Sequence, residues 1–330
     1  MAGPGDRGSP GTGKLAIMAA MKAIFAASSG LNSDDWVAPL QNALPEVDFY
    51  NWVPEGPAIG AEIAVVWQPP ADIFQREPGL RAVFNLGAGV DALLRLPGLS
   101  KNVAIFRLED GGMAVQMAEY AIYALTRASR QFDVYQRLQS QEQWQPQPDI
   151  RRADWSVGVM GMGVMGKRVA QAIAALGYPV AGWARSGKQV PGIDNYAGSG
   201  HLEAFLKRTR VLVNTLPLTP ETTGILNRQT LGLLQPGAHL INMARGEHLV
   251  EEDLLALLDS GHMQGATLDV FQQEPLPAGH AFWQHPNITV TPHIAGATLL
   301  EEAVSQVSEK VRQFLRGEPV TGLVLRERGY

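Results

Sequence analysis

The chain has 330 residues, 45% hydrophobic and 18% charged, with 27 Lys and Arg against 32 Asp and Glu for a net charge of −5. An acidic balance argues against general nucleic-acid binding, which needs a basic surface to meet phosphate, and Gly, Pro and charged residues break every apolar run short of the roughly eighteen residues of a membrane span. The absence of cysteine removes disulfides, thiolate nucleophiles and Cys-ligated metals, and it fits a reducing, cytoplasmic setting. The length exceeds what one hydrophobic core usually serves, so two domains are expected.

Residues 1–20 are rich in Gly and Pro, lack apolar periodicity before Leu15 and read as a leader, with Met21 as the natural start. The GTGK string at 11–14 lacks the upstream Gly spacing and the preceding strand of a phosphate loop. From Lys22, short apolar runs alternate with helix-like stretches: KAIFAA (22–27), VDFYNW (47–52), AEIAVVW (61–67), RAVFN (81–85) and VAIFR (103–107). Such runs are buried on both faces, so they predict a parallel sheet covered by helices. A breaker-free stretch from Met113 to about Leu138 predicts one long connecting helix, and QSQEQWQPQPD (139–149) an extended arm.

A second series follows: WSVGVM (155–160), PVAGWA (179–184), RVLVNTL (210–216), AHLINM (238–243), GATLDV (265–270) and ITVT (288–291). Six strands suit a dinucleotide-binding fold. A helix starting at the acidic cluster Glu251, Glu252 and Asp253 is expected to stop at Gly261, and a last helix to span 297–316. The fold class is therefore α/β, with parallel sheets covered by helices in two domains.

The strand at 155–160 runs directly into Gly161-Met162-Gly163-Val164-Met165-Gly166, and the following segment places Val169, Ile173 and Leu176 on one helical face. The first glycine permits the turn, the second lets backbone approach a pyrophosphate, and the third lets helix pack on strand. A lone motif of this kind is also compatible with an ordinary Gly-rich turn; its strand-to-helix context favours dinucleotide binding. The second strand of the unit ends Gly182-Trp183-Ala184-Arg185-Ser186. There is no carboxylate to repel a 2′-phosphate, whereas Arg185 offers a planar fork, with Ser186 and Lys188 nearby, so NADP(H) is expected over NAD(H). A solvated Arg185 is the bland alternative.

Three segments at strand ends carry candidate chemistry: NMARG (242–246), LDVFQQEPLP (268–277) and TPHIAG (291–296). Singly, Arg245, Glu274 and His293 each have a structural reading; together, after strands of one nucleotide-binding sheet, they point to a site. With NLGAGVDALL (85–94), FRLEDGGMAVQMAEYA (106–121) and GEPVTG (317–322), the sequence resembles the D-isomer-specific 2-hydroxyacid dehydrogenases, most nearly their glyoxylate/hydroxypyruvate reductase branch, over essentially 21–330.

The resemblance implies two Rossmann-like, doubly wound parallel-sheet domains with the active site in the cleft between them, 21–112 and 298–330 forming the substrate domain and 113–297 the nucleotide-binding domain. It implies that His293 is the general acid, that Glu274 orients its imidazole and favours the charged form, and that Arg245 binds the 2-oxo acid through carboxylate and carbonyl. It makes Leu86, Gly87, Ala88 and Gly89 the loop whose N–H groups meet the substrate carboxylate. It also gives Asp269 to the nicotinamide carboxamide and Leu216, Pro217 and Thr223 to the adenosine and ribose. Met243, Ala244, Arg245 and His293 complete the cofactor contacts. Trp52 is a candidate pocket residue and Trp144 a candidate dimer contact, each with packing as an equal alternative. The expected partners are a small 2-oxo or 2-hydroxy acid and a second copy of the chain, with no metal. An NAD-linked dehydrogenase of another hydroxy acid, or a nucleotide-sensing corepressor on the same fold, is the alternative function.

Overall fold

The computed structural model describes residues 21–28, 31–187 and 189–330. The expected leader, its GTGK string and Lys188 lie outside the described residues.

The first sheet is built from β1 (Met21–Ala27), β2 (Val47–Asn51), β3 (Ile63–Trp67), β4 (Ala82–Asn85) and β5 (Ala104–Arg107), all parallel in the order β2-β1-β3-β4-β5. Its central strands are buried on both faces, as the uninterrupted apolar runs require: Ala23 to Ala26 and Ile63 to Val66 are fully inaccessible. Each large aliphatic side chain so buried contributes about 1.5–3 kcal/mol. Among them run α1 (Ser33–Ala43), α2 (Ile73–Arg76) and α3 (Asp91–Leu94). Asn32 caps α1 by accepting the Asp34 N–H.

The chain then crosses through α4 (Met113–Ser129) and α5 (Phe132–Ser140) to a second parallel sheet. The single long helix expected here is two helices. Gln131 sits in the left-handed region at φ 54° and breaks the run, although neither Gly nor Pro marks the place. The second sheet comprises β6 (Val157–Met160), β7 (Val180–Ala184), β8 (Asp194–Ala197), β9 (Val211–Asn214), β10 (Ala238–Asn242), β11 (Met263–Leu268) and β12 (Ile288–Val290), ordered β12-β11-β10-β9-β6-β7-β8. It has seven strands, not six. The extra edge strand β8, DNYA, has no buried face, so no apolar alternation announced it.

Its helices are α6 (Val164–Ala175), α7 (Leu202–Lys207), α8 (Arg228–Leu231) and α9 (Glu251–Asp259), and the chain returns to the first sheet in α10 (Leu300–Leu315). On α6, Val169 and Ile173 are buried as expected, but Leu176 is exposed at the helix end and Ala170 takes the third core position. Helix α9 stops as predicted, with Gly261 at φ +75° just beyond it. The apolar stripe Ala303, Val304, Val307 and Val311 of α10 packs with Trp36 and Leu40 of α1, which ties residues beyond 300 to the first core.

The outward and return crossings lie side by side. Leu299 N–H donates to the Gly111 carbonyl at 3.0 Å, and Gln116 exchanges hydrogen bonds with Ala297, donating to its carbonyl at 2.8 Å and accepting from its N–H at 3.2 Å. Gly112, at φ +83°, allows this approach: a Cβ there would stand 2.6 Å from the Leu299 side chain.

Candidate active site

In the second sheet the strand order reverses between β6 and β9, and the Gly-rich turn leaves β6 at that point. Gly161 is at φ +96° and donates to the Trp183 carbonyl, while Thr215 donates its hydroxyl to the Gly161 carbonyl at 2.8 Å. A Cβ on Gly166 would lie 1.8 Å from that same carbonyl oxygen, so the third glycine is set by helix–turn contact. Gly163 has no neighbour within 4 Å of where a Cβ would be, and as N-cap of α6 it brings no side chain to the first turn. The backbone N–H groups at the start of α6, around Val164 and Met165, therefore face an open approach that fits a pyrophosphate. The Met162 side chain, by contrast, is buried against Gly182.

Arg185 and Ser186 follow β7 and are exposed. The Arg185 Nη2 donates to the Tyr330 hydroxyl at 2.5 Å, with the guanidinium 5.3 Å from the ring centre. Leu216 and Pro217 follow β9; the Pro217 carbonyl accepts from Thr222 and His248, and Thr223 donates its hydroxyl to Thr219. His248 is buried, and desolvation above all lowers its pKa. Its Nε2 faces a carbonyl and its Nδ1 the Asn214 amide, which defines a neutral ring protonated at Nε2.

Beyond β10, Met243 and Ala244 are buried and Arg245 is part-exposed. Gly246 makes the turn possible, since a Cβ there would meet the Phe271 backbone at 1.9 Å. That contact sets the Arg245 turn against the loop carrying Glu274. Phe271 N–H donates to Glu274 Oε1 at 2.9 Å, and Glu274 Oε2 accepts from His293 Nδ1 at 2.8 Å. Burial pushes the Glu274 carboxyl up. The His293 hydrogen bond, the Phe271 N–H and the charges of His293 and Arg245 outweigh it and hold the group below its ordinary value. With Nδ1 committed to the carboxylate, Nε2 is the ring nitrogen that His293 could offer to a ligand.

His293 itself sits at φ 55°, a left-handed conformation costly for a residue with a Cβ. Asp269 holds it there. Its backbone carbonyl accepts the His293 N–H at 2.8 Å, and its buried carboxylate accepts from Thr291 Oγ1 at 2.6 Å and from the Ile294 and Ala295 N–H groups at 2.8 Å each. Tyr120 extends the chain through Thr291 at 2.6 Å, and burial raises its hydroxyl pKa. Three of the about four acceptor positions of the Asp269 carboxylate are thus taken by the segment after β12.

The loop at Leu86–Gly89 comes from the first sheet. Leu86 is buried, and a Cβ on Gly87 or Gly89 would collide with Trp67 or Arg245 respectively. Asn85 donates to the Gly87 and Gly89 carbonyls at 2.9 and 3.0 Å, and Arg107 to the Ala88 carbonyl at 3.1 Å. In a trans peptide N–H and C=O point oppositely, so these bonds turn the Ala88 and Gly89 N–H groups the other way. Asp91, which sequence reasoning missed, accepts from Arg245 Nε at 3.1 Å. It pins the guanidinium beside this loop and leaves Nη2 free to turn to a ligand.

Trp52 packs in one core cluster with Val90 and Leu93, which flank Asp91. It is 4% exposed, with the Arg76 guanidinium 4.1 Å from its ring centre, and its Nε1 is buried without a hydrogen-bond partner among the described residues. Trp144, on the segment after α5, is 98% exposed.

A family model described as D-isomer specific 2-hydroxyacid dehydrogenase, NAD binding domain, matches residues 122–295. A glyoxylate/hydroxypyruvate reductase A from Escherichia fergusonii is 46% identical over 300 residues, covering 89% of this chain and 96% of the relative. The chain belongs to the D-isomer-specific 2-hydroxyacid dehydrogenases. A family member from Xanthobacter autotrophicus Py2, solved with NADPH and MES, superposes with a TM-score of 0.89 at 38% identity, covering 94% of this chain and all of that one. An NADPH-dependent glyoxylate/hydroxypyruvate reductase from Sinorhizobium meliloti, solved with NADP and sulfate, gives 0.88 at 35% identity with the same coverage. The dehydrogenase family thus accounts for both parallel sheets, including the seven-stranded one.

Proposed function

We propose that the chain reduces small 2-oxo acids, glyoxylate and hydroxypyruvate among them, to glycolate and D-glycerate with NADPH. The observation that carries this reading is the His293–Glu274 contact at 2.8 Å, which fixes an acid with a free Nε2 on the same side of the fold as Arg245. The names and bound NADP(H) of the relatives support the choice of substrate and cofactor.

In this reading Gly161–Gly166 hold the pyrophosphate, Leu216, Pro217 and Thr223 the adenosine and ribose, and Met243, Ala244, Asp269 and His293 the nicotinamide end. Arg185 and Ser186, with Lys188, meet the 2′-phosphate. When bound, the reduced cofactor supplies a hydride to the carbonyl carbon of the acid. Arg245 and the N–H groups of Gly87–Gly89 position the carboxylate and carbonyl, so that the reacting groups meet in one orientation. As the carbonyl π electrons move to oxygen, Arg245 stabilises the developing charge and His293 Nε2 gives that oxygen its proton. Glu274 holds the ring by Nδ1 in the orientation that transfer needs. The substrate domain comprises 21–112 and 298–330 and the nucleotide domain 113–297. A homodimer covering Trp144, in the cytoplasm where NADPH is held reduced, completes the reading.

The test is loss of NADPH absorbance with glyoxylate, hydroxypyruvate and pyruvate, each run with NADPH and NADH. Fast NADPH oxidation by the two small polar acids is expected; preference for NADH overturns the cofactor assignment, and no turnover with any acid overturns the reaction. His293→Ala is expected to lower turnover about 10²–10⁴-fold while calorimetry shows that NADPH is still bound. Retained turnover removes His293 as the acid.

A further inference from the structure

Tyr330 joins two guanidinium groups that come from the two different sheets. Arg185, after β7 of the second sheet, hydrogen-bonds its hydroxyl at 2.5 Å and lies 5.3 Å from its ring centre. Arg107, at the end of β5 of the first sheet, lies 6.0 Å from the same ring, and its Nη1 donates to Ala88 in the 86–89 loop. The segment leading to Tyr330 is tied down at several points. Leu323 bridges to Phe106, Val324 N–H donates to Ile105 at 2.8 Å, and Arg326 donates to the Ser100 and Val103 carbonyls at 2.8 Å each. Gly329, at φ +77° and packed near Thr219, turns the chain so that Leu325 N–H reaches the Tyr330 carbonyl at 3.2 Å. An anchored segment of the first half therefore delivers a phenol to an otherwise exposed arginine of the second.

We propose that Tyr330 is a specificity-determining positioning residue, which holds the Arg185 guanidinium ready for the 2′-phosphate of the cofactor. The inference rests on the reading of Arg185 given above. An exposed arginine samples many rotamers, and fixing it on a ligand costs affinity. The ring lies 5.3 Å from the guanidinium and the hydroxyl takes one Nη2 hydrogen, which leaves the remaining donors of the planar fork for phosphate oxygens. Glu221 is the nearby acidic group. Its carboxylate is held below its ordinary value by its own backbone N–H first, then Thr219, with a smaller contribution from Arg185. A phenol, unlike a second carboxylate, holds Arg185 without opposing a phosphate.

The test is calorimetric titration of the full chain with 2′,5′-ADP and with 5′-ADP, using wild type, Tyr330→Phe, Tyr330→Ala, Arg185→Ala and the Arg185→Ala/Tyr330→Phe double variant. Tyr330→Phe, which keeps the ring, is expected to weaken 2′,5′-ADP about three- to tenfold and leave 5′-ADP unchanged. Tyr330→Ala should weaken it further, and the double variant should match Arg185→Ala. Wild-type affinity for 2′,5′-ADP in both Tyr330 variants, with loss in Arg185→Ala, overturns the role of Tyr330 and leaves Arg185 standing. Equal weakening of both ligands in the Tyr330 variants also overturns it, as a general structural effect. Unchanged preference in Arg185→Ala overturns the reading of Arg185 and this proposal together.

Discussion

At the scale of single residues, the candidate site is a set of side chains whose freedom has been removed before any ligand arrives. Glu274 holds His293 by its ring, Asp269 holds it by its backbone, and Asp91 holds Arg245 from the other sheet. The last contact gives a direct prediction. Asp91 takes Nε and the Ala244 carbonyl takes Nη1 at 2.6 Å, so loss of Asp91 loosens the guanidinium by one of its two anchors; Asp91→Ala is expected to lower kcat/KM for the 2-oxo acid by about tenfold. Steady-state kinetics check this, and an unchanged or higher kcat/KM would show that Arg245 needs no such anchor.

At the scale of elements, what the sequence revealed followed physical pattern. Strands buried on both faces announce themselves as apolar runs, and Arg245, Glu274 and His293 stand where strands of a nucleotide-binding sheet end. Beyond that reach lay features with no local signature. β8 is an edge strand with no buried face, the break at Gln131 uses a left-handed glutamine, and Asp91 meets Arg245 across 154 positions of chain. Asp269 entered the sequence reading as a candidate cofactor contact, and its part as a clamp was not legible, because its partners are the Thr291 hydroxyl and two backbone N–H groups after β12, more than twenty positions away. Asp269→Asn sets an amide N–H₂ against buried N–H donors, a mismatch of about 1–3 kcal/mol. A lower melting temperature and a reduced kcat are expected together, the second because the His293 turn loosens; a kcat equal to wild type would separate the clamp from catalysis.

At the scale of the whole molecule, one buried histidine links stability to pH. His239 is buried between β9 and β11, with Nε2 against Thr267, and desolvation first, then the Arg127 charge, lowers its pKa to about 4, while Asp133 opposes the shift. The unfolded chain binds a proton there near 6.5, so between that pH and about 4 acidification favours unfolding, by on the order of 3 kcal/mol in full. Urea unfolding at neutrality and at about pH 5 should show wild type losing more stability than His239→Gln, and equal losses would remove His239 as the source.

The paired crossings at 111–116 and 297–299 have a mechanical consequence. Two chain segments that run beside each other and exchange hydrogen bonds act as one pin through both halves of the molecule. Sliding or twisting one sheet past the other would break those bonds, whereas a swing about the pin would leave them in place. Asp91 with Arg245, and Tyr330 with Arg185, join the same halves away from the pin, so the two halves are latched at the cleft as well as pinned behind it.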